Sequence, residues 1–288
     1  MRVSAVCVGD NCVDYYLPPL NHRYIGGNAV NVAVYLKRSG VPSAYVGVVG
    51  DDLDGRLTLE KLTGEGVDVS RVRMVPGKTA TTHIRLAASG DRQFVYEYLG
   101  PRQTLEIDET ALEFISRHSV VHNTMSGGTE PYLPNFRRMA GLTVSIDYGE
   151  RSHPDFVTRT LPYVDVAFFS MNPEQRGEAE ALARDKHATG LRLVVVTLGI
   201  GGSLAFDGNL YYQAAVPVKV VDTLGAGDAY IGTFLAYWLR GRGVAACMEN
   251  ASLAAAEACT HFGGWSQPEN PSITADLGKP EKSSSREK

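Results

Sequence analysis

A glycine-rich turn that ends in a carboxylate is the part of this sequence best suited to chemistry. The turn spans residues 222–228 and reads Asp-Thr-Leu-Gly-Ala-Gly-Asp. Apolar residues then recur at i, i+3, i+4, i+7 and i+8 from Ile231, which predicts a helix that begins close to Asp228. Helix amino termini favour anions, and Gly225 and Gly227 let the backbone approach a phosphate without a Cβ in the way. The turn therefore predicts a phosphate site.

A carboxylate beside a phosphate site is useful where a nearby hydroxyl must lose its proton. Asp228 could take that proton during phosphoryl transfer. The backbone amides of Ala226, Gly227 and Asp228 would then neutralise charge on the transferred phosphoryl group. The alternative is that Asp228 only caps the helix, a common use of aspartate that is worth about 1 kcal/mol.

The chain around this turn has the composition of one compact domain. It contains 288 residues, 44% of them hydrophobic and 21% charged, which excludes a disordered or fibrous protein. Its formal net charge of −4 supplies no strong basic field for a nucleic-acid backbone. We therefore expect a small-molecule partner and no nucleic acid.

Cysteine usage and hydropathy indicate a cytoplasmic protein. The 4 cysteines show no CxxC spacing, so we expect reduced, mostly buried thiols. The amino terminus reaches Asp10 too early for a secretory segment. No apolar run approaches the roughly 18 to 20 residues of a membrane helix. We therefore expect a cytoplasmic protein that does not enter membranes.

Short apolar runs bounded by Gly, Asp or Pro predict the main sheet. They lack polar alternation, which is typical of strands buried on both faces of a parallel sheet. Helical patterns lie between them, such as Asn28 to Ser39, which ends in two cations and then Gly40. This alternation predicts a doubly wound α/β fold. The runs are Val3 to Val8, Tyr45 to Val49, Val120 to His122, Val144 to Asp147, Val164 to Phe169 and Leu191 to Leu198.

Two predicted hairpins interrupt this alternation of strands and helices. Thr79 to Leu99 alternates apolar and polar residues around a turn signal, which predicts a hairpin with one solvated face. Together with Asn11 to Ile25 it could form a small β appendage. That appendage is either a lid over a site or an edge extension or dimer contact. The second hairpin is predicted at Ser203 to Gln213.

We expect one α/β domain over residues 1–270, with the β lid drawn from about 11–26 and 79–100. The composition then shifts to Pro, Ser, Lys and Glu. Such a segment buries too little apolar surface to fold, so residues 271–288 are predicted to form a disordered tail.

The 222–228 turn resembles the DTxGAGD signature of the ribokinase (PfkB) family of carbohydrate kinases. Three further segments match that family, at Gly9 to Asp14, at Gly26 to Asn31 and at Val196 to Ser203. The resemblance covers most of the chain. It implies a ribokinase-like fold, in which a doubly wound, mostly parallel sheet is flanked by helices and carries a small β lid. It also implies an ATP-dependent sugar kinase, with Asp228 as the catalytic base and Gly225, Ala226 and Gly227 in the anion hole.

The same resemblance assigns residues to the two substrates. Asp14, Gly27 and Asn31 would hold sugar hydroxyls, since a carboxylate and an amide suit a ring of hydroxyls. The alternatives are an ordinary turn for Gly27 and a polar helix position for Asn31. The nucleotide is expected at Thr197, Gly199, Gly202 and Ser252. Gly199, Gly201 and Gly202 could instead form only a tight turn, and the small residues beside Ser252 could serve only helix packing.

Within the family the sequence resembles the bacterial fructoselysine 6-kinases and related fructosamine kinases. The likeness rests on Gly9 to Tyr16, Gly26 to Val34 and Ala258 to Trp265. It implies that the acceptor is the 6-hydroxyl of an amine-linked fructose. Alternatives are another sugar or nucleoside kinase of the family, or a non-catalytic sugar-binding protein. A dinucleotide-binding dehydrogenase ranks far behind, because Gly9 is not followed by a GxGxxG pattern.

The resemblance also implies metal ions and an oligomer. Mg2+ is expected, but the family's NxxE segment appears here as Asn172 to Gln175, with Gln in place of Glu. Either Glu174 substitutes, or phosphates and water hold the ion. Some members are activated by a monovalent cation such as K+, and a homodimer through the lid is a family expectation. The positions that match the monovalent cation site are Asp222, Leu224, Ala258, His261 and Gly263.

Overall fold

The computed structural model describes residues 3–86, 92–150, 153–268 and 270–271. Strands and helices alternate through most of this range. The strands are β1 (Ala5–Val8), β2 (Cys12–Tyr16), β3 (His22–Gly26), β4 (Ser43–Val46), β5 (Val48–Gly50), β6 (Arg73–Val75), β7 (Thr81–Leu86), β8 (Arg92–Tyr98), β9 (Val120–Thr124), β10 (Thr143–Asp147), β11 (Val166–Ser170), β12 (Leu193–Thr197), β13 (Ser203–Phe206), β14 (Leu210–Gln213) and β15 (Asn270–Pro271). The helices are α1 (Asn28–Arg38), α2 (Leu53–Gly64), α3 (Glu109–Ser116), α4 (Leu133–Arg138), α5 (Pro154–Thr160), α6 (Arg176–Ala188), α7 (Ala226–Leu239) and α8 (Val244–Ala258).

The main sheet of the described residues has 8 strands in the order β14-β13-β12-β11-β10-β9-β1-β4. The six strands from β12 to β4 in this order run parallel. Strands β13 and β14 continue the sheet antiparallel, as the second predicted hairpin requires. The apolar runs supply the parallel strands because their side chains are buried on both faces.

Helices cover both faces of the main sheet. Alternate residues of β1 show this, because Cys7 joins the apolar cluster of α1, α7 and α8, whereas Val8 joins the cluster of α3 and α4. Further along the sheet, the face of Val194 packs against α5 and α6. The doubly wound α/β fold predicted from the sequence is confirmed.

Helices α1 and α7 lie side by side on one face. Gly232 permits this contact, since a Cβ there would stand 2.7 Å from the Cβ of Tyr35 and 2.8 Å from the carbonyl oxygen of Val32. Further along, Ser39 donates to Thr233 at 3.2 Å. The two amino termini consequently open at the same edge of the sheet.

A second sheet stands beside the first, in the order β15-β3-β2-β7-β8. The predicted appendage therefore exists and joins the two segments expected to form it. Strand β8 differs from the prediction because residues 93–98 are exposed on both faces, including Phe94 at 64%. The reason is its place as the edge strand of a sheet that leaves the main body. The predicted turn at residues 89–91 lies outside the described residues.

Three local differences from the sequence prediction have structural causes. The predicted strand Tyr45 to Val49 is divided at Gly47, because the Tyr45 ring lies where a Cβ of Gly47 would be. Strand β5 then pairs with β6 in a separate two-stranded sheet.

Pro271, the first residue of the expected tail, pairs with His22. Residues 272–288 of that tail lie outside the described residues. None of the described helices is long and apolar enough to cross a membrane.

Candidate active site

The carboxyl edge of the main sheet gathers the side chains of the candidate site. Asp10 follows β1, Asp147 ends β10 and Thr197 ends β12. Open α/β sheets bind their ligands outside this edge. Helices α1 and α7 open here as well, since Asn31 in the first turn of α1 donates to Asp228 in the first turn of α7 at 2.6 Å. The predicted acceptor residue and the predicted base are therefore neighbours.

The glycine-rich turn forms the amino terminus of α7. The helix begins at Ala226, two residues earlier than Asp228, and Gly225 precedes it with a left-handed φ of 76°. A Cβ on Gly225 would approach the Cα of Gly264 to 2.5 Å. The N–H groups of Gly227 and Asp228 have no carbonyl partner within the helix because they lie in its first turn. The turn thus presents backbone donors to the edge of the sheet, as an anion site needs.

Asp228 is half-buried and has a perturbed acidity. Burial raises the pKa of the Asp228 carboxyl well above its usual range, and the hydrogen bond from Asn31 opposes that rise. The negative charges of Asp147, Asp10 and Asp14 raise the pKa of Asp228 further. A carboxylate with a raised pKa is a better proton acceptor at neutral pH than an ordinary aspartate.

The first turn of α1 holds two of these carboxylates. Asn28 donates through Nδ2 to Asp147 at 2.5 Å, and its backbone N–H donates to Asp10 at 2.9 Å. Thr124 occupies the other oxygen of Asp10 at 2.5 Å. The sequence reasoning missed Asn28, Asp10 and Asp147. For both aspartates one signal was available, because each stands where a buried apolar strand ends.

The small sheet contributes the remaining residues predicted to bind the acceptor. Asp14 is buried on β2, and Cys12 donates to it at 3.3 Å. The absence of a side chain at Gly26 leaves room for Asp14, since a Cβ at position 26 would collide with the Asp14 carboxylate. Gly27, with a φ of 105°, approaches the backbone of Asn11 so closely that no side chain fits. The glycine pair therefore lets β3 and the start of α1 pass close to Asp14.

Asp222 links the small sheet to the anion turn. Its carboxylate accepts hydrogen bonds from the Tyr16 hydroxyl, from the backbone of Leu224 at 3.0 Å and from that of Gly263 at 3.4 Å. Burial and the Asp222 charge raise the pKa of Tyr16, so its hydroxyl keeps the proton that it donates. Tyr16 carried no sequence signal as a site residue.

The positions predicted for a monovalent cation lie around this carboxylate. Gly263 contacts it directly, and the Cys259 carbonyl after Ala258 accepts from the N–H of Asp222 at 3.3 Å. His261 lies in the same loop, with Nδ1 at 3.3 Å from the Phe262 carbonyl oxygen. Asp222 therefore joins the turn to the loop of Gly263, and the monovalent cation at these positions stays a prediction.

The predicted nucleotide residues lie at two places. Thr197 ends β12 and its hydroxyl contacts that of Ser170 at 2.9 Å, whereas Gly199 is exposed with a φ of 53°. Glycine is required at position 202 for a structural reason as well, because a Cβ at this position would collide with the carbonyl of Gln213. Ser252 is buried on α8, and within the described part of the chain its side chain makes no hydrogen bond to that loop.

A protein-only metal centre is absent from the described ranges, which contain no group of 3 or more His, Cys, Asp or Glu side chains able to hold a metal. At the altered NxxE segment, Gln175 accepts a hydrogen bond from the backbone of Asn172 at 3.1 Å and so closes the turn. Glu174 is exposed. A segment with so few metal ligands fits a Mg2+ ion that is held mainly by phosphates and water, an arrangement that Mg2+ tolerates.

Comparison with known sequences places this geometry in a family. The profile described as "pfkB family carbohydrate kinase" matches residues 4–125 and 152–271. The chain is 34% identical over 268 residues to "Fructosamine kinase FrlD" of Bacillus subtilis (strain 168), with 91% of this chain and 93% of the relative covered. It is 35% identical over 259 residues to "Fructoselysine 6-kinase" of Shigella flexneri, with 90% of this chain and 98% of the relative covered.

A solved structure shares the fold. Ribokinase of Arabidopsis thaliana, complexed with ribose and ATP, matches with a TM-score of 0.79 at 23% identity, covering 91% of this chain and 94% of that chain. This likeness and the family profile confirm the resemblance inferred from the 222–228 turn. The chain belongs to the pfkB family of carbohydrate kinases and is an ATP-dependent phosphotransferase.

Proposed function

We propose that the protein transfers the γ-phosphoryl group of ATP to the 6-hydroxyl of fructoselysine or a related fructosamine. The observation that carries the proposal is the pairing of Asp228 with Asn31 at the amino terminus of α7, where a base and an anion site coincide. The acceptor class rests on the two relatives whose names specify fructosamine and fructoselysine. We place the activity in the cytoplasm, because the phosphoryl donor ATP is available there.

In this mechanism Asp228 removes the proton of the acceptor hydroxyl as its oxygen attacks the γ-phosphorus. The bond to the bridging oxygen of ADP breaks, and ADP leaves with that electron pair. The backbone N–H groups of Gly227 and Asp228 offset the charge on the phosphoryl oxygens, and Gly225 and Ala226 shape the turn that presents them, since the N–H of Ala226 donates to the carbonyl of Thr223 at 3.3 Å. Asp14, Gly27 and Asn31 hold the other hydroxyls of the sugar and so orient the attacking oxygen. Mg2+, when bound with ATP, neutralises charge on the phosphates.

We further propose that the ATP base and ribose bind at Thr197, Gly199 and Gly202, with Ser252 on the opposite wall. The exposed glycine leaves room for a ligand, and the Ile200 side chain beside it is 89% exposed. An apolar side chain in water at this position favours contact with a planar base. Activation by K+ at Asp222 stays a prediction from the resemblance.

A substrate panel tests the proposed activity. We expect ATP consumption with Mg2+ to be selective for fructoselysine and other fructosamines over fructose, ribose and nucleosides. Activity only on free sugars or nucleosides would retain the base and the anion turn but reject the acceptor. Absence of turnover on every compound would favour the sugar-binding alternative.

The acidity of Asp228 predicts an unusual pH profile. The base works only when deprotonated, so kcat/KM falls as the pH drops through the pKa of Asp228. Since burial raises that pKa, we expect the acid limb well above about 3.9, the value of an unperturbed aspartate. The Asp147→Asn variant removes one of the negative charges, and its acid limb should move to lower pH. An acid limb near 3.9 in both proteins would contradict this interpretation.

We also propose a homodimer through the small sheet. Strand β8 exposes Phe94 at 64% and Tyr96 at 43%, and among the described strands it is an edge of the small sheet, with backbone groups on the side away from β7 that pair with no described strand. A second copy that covers this edge would bury both features. Light scattering should report a dimer that Phe94→Glu converts to a monomer. The control Met74→Glu changes a side chain 42% exposed on another sheet and should stay dimeric. A monomeric wild-type protein would reject the proposal.

A further inference from the structure

The candidate site holds more negative charge than a neutral sugar requires. Asp10, Asp14 and Asp147 all act on Asp228 and raise its pKa. Within the described residues, no lysine, arginine or histidine forms an ion pair with Asp10, Asp147 or Asp228. Buried charge is costly unless it is paired. The cluster therefore needs positive charge from a ligand.

One of these carboxylates already has another task, because Asp228 is the base. Asp10 and Asp147 are each held by two neutral donors, which for Asp10 are the backbone of Asn28 and Thr124. Of the two, Asp147 is the one whose charge acts more strongly on Asp228, the group proposed to contact the acceptor. Asn28 donates to one oxygen of Asp147 at 2.5 Å, and the N–H of Gly149 donates to the other at 2.8 Å.

Each oxygen of Asp147 keeps room for a further donor, since a carboxylate oxygen accepts two hydrogen bonds. Its residue is only 8% exposed, and burial raises the pKa of Asp147. Asp147 ends β10 at the carboxyl edge of the main sheet, close enough to Asp228 for its charge to raise the pKa of that carboxyl. A cation that reached this carboxylate would be attracted strongly, because surrounding protein screens the charge poorly.

Unpartnered amide oxygens in the same cluster give an independent indication of a ligand. Asn31 is 3% exposed and points at Asp228 through Nδ2, yet its Oδ1 has no hydrogen-bond partner among the described residues. The Oδ1 of Asn28, the residue that holds Asp147, lacks a described partner as well. Acceptors without donors beside unpaired carboxylates fit a ligand that carries several N–H or O–H groups and a positive charge.

We propose that Asp147 binds the protonated amine of the acceptor and thereby selects 1-amino-1-deoxyketoses over neutral sugars. This inference rests on the proposed fructosamine kinase activity and names the residue that distinguishes the substrate class. The contact is a charge-assisted hydrogen bond from the secondary ammonium group to the carboxylate. Asn28 holds the carboxylate in position, and Asp14, Gly27 and Asn31 remain with the sugar hydroxyls.

Three acceptors with one common fructose ring test the proposal. They are a fructosamine with a protonated secondary amine at carbon 1, its N-acetylated neutral counterpart, and fructose. We expect kcat/KM of the wild type to be about 10- to 100-fold higher for the amine than for the neutral counterpart, the usual range of a hydrogen bond to a charged group. Asp147→Asn should abolish this preference, so that kcat/KM becomes equal for the amine and for the neutral counterpart when both are measured above the acid limb of the pH profile.

The control variant is Glu150→Gln, which removes the charge of an exposed neighbour of the same loop. We expect it to keep the preference. Turnover of the neutral acceptor by Asp147→Asn shows that the variant is folded. A wild type that phosphorylates fructosamine without preferring the charged form overturns the role of Asp147 while leaving the proposed function intact. A preference lost in Glu150→Gln and kept in Asp147→Asn also overturns it. Failure to phosphorylate any of the three acceptors rejects the proposed function itself.

Discussion

The Asp228→Asn variant is expected to lose roughly 10²- to 10⁴-fold in kcat, the usual contribution of a general base. Asparagine has the same shape and keeps a side-chain contact with Asn31, but it cannot take a proton from the acceptor hydroxyl. The backbone donors of the anion turn do not depend on this side chain. ATP should therefore bind the variant with nearly unchanged affinity, as measured by calorimetry beside steady-state turnover.

Asp155→Asn supplies the matched control. It makes the same change in the first turn of α5, where the carboxylate is exposed. Its kcat should equal that of the wild type. Turnover retained by Asp228→Asn would show that Asp228 only caps α7, and a parallel loss of ATP affinity would point to a structural role instead of a base.

Local patterns in the sequence were sufficient to predict the sheet and the anion turn. The continuous apolar runs became parallel strands, because a strand covered by helices on both faces needs no polar positions. The turn was predictable for a related reason, since Gly225 must adopt a positive φ where the backbone of Gly264 passes close by. Both predictions depend only on residues that are close together in the sequence.

Contacts between distant parts of the chain could not be predicted in the same way. Asn28 and Asp147 are separated by 119 positions, and Tyr16 and Asp222 by 206. Asn28 and Asp147 meet because α1 begins and β10 ends at the same edge of the main sheet. Tyr16 and Asp222 meet because β2 of the small sheet ends beside the loop that precedes α7. An aspartate after an apolar run is also common in turns. The sequence thus pointed to Asp228, and through the family resemblance to Asp14, but it left Asp10 and Asp147 unrecognised.

Two glycines of the anion turn should respond to alanine in opposite ways. Gly225→Ala places a Cβ at a φ of 76°, against the backbone of Gly264. We expect its free energy of unfolding to fall by about 2 kcal/mol or more, since the left-handed conformation alone costs about 1–2 kcal/mol for a residue with a side chain. Thermal unfolding should report this loss, and turnover should fall with it because Asp228 follows the displaced turn.

Gly227→Ala should separate function from stability. A Cβ there meets no described atom within 4 Å, and alanine in a helix is more stable than glycine by roughly 0.5–1 kcal/mol. The variant should therefore unfold at the same temperature or higher. Its methyl group would nevertheless stand where the proposed phosphoryl group approaches, so we expect turnover to fall about 10²-fold, the scale of one lost donor at such a site.

Gly177→Ala is the control for this change, because Gly177 is also the second residue of its helix and also has no neighbour within 4 Å. It should share the gain in stability and keep wild-type turnover. The contrast isolates the anion site, since the two helices receive the same substitution at the same position and only α7 is proposed to face a phosphate. Full activity of Gly227→Ala would mean that the phosphoryl group passes elsewhere, and Asp228 would lose its assignment as the base.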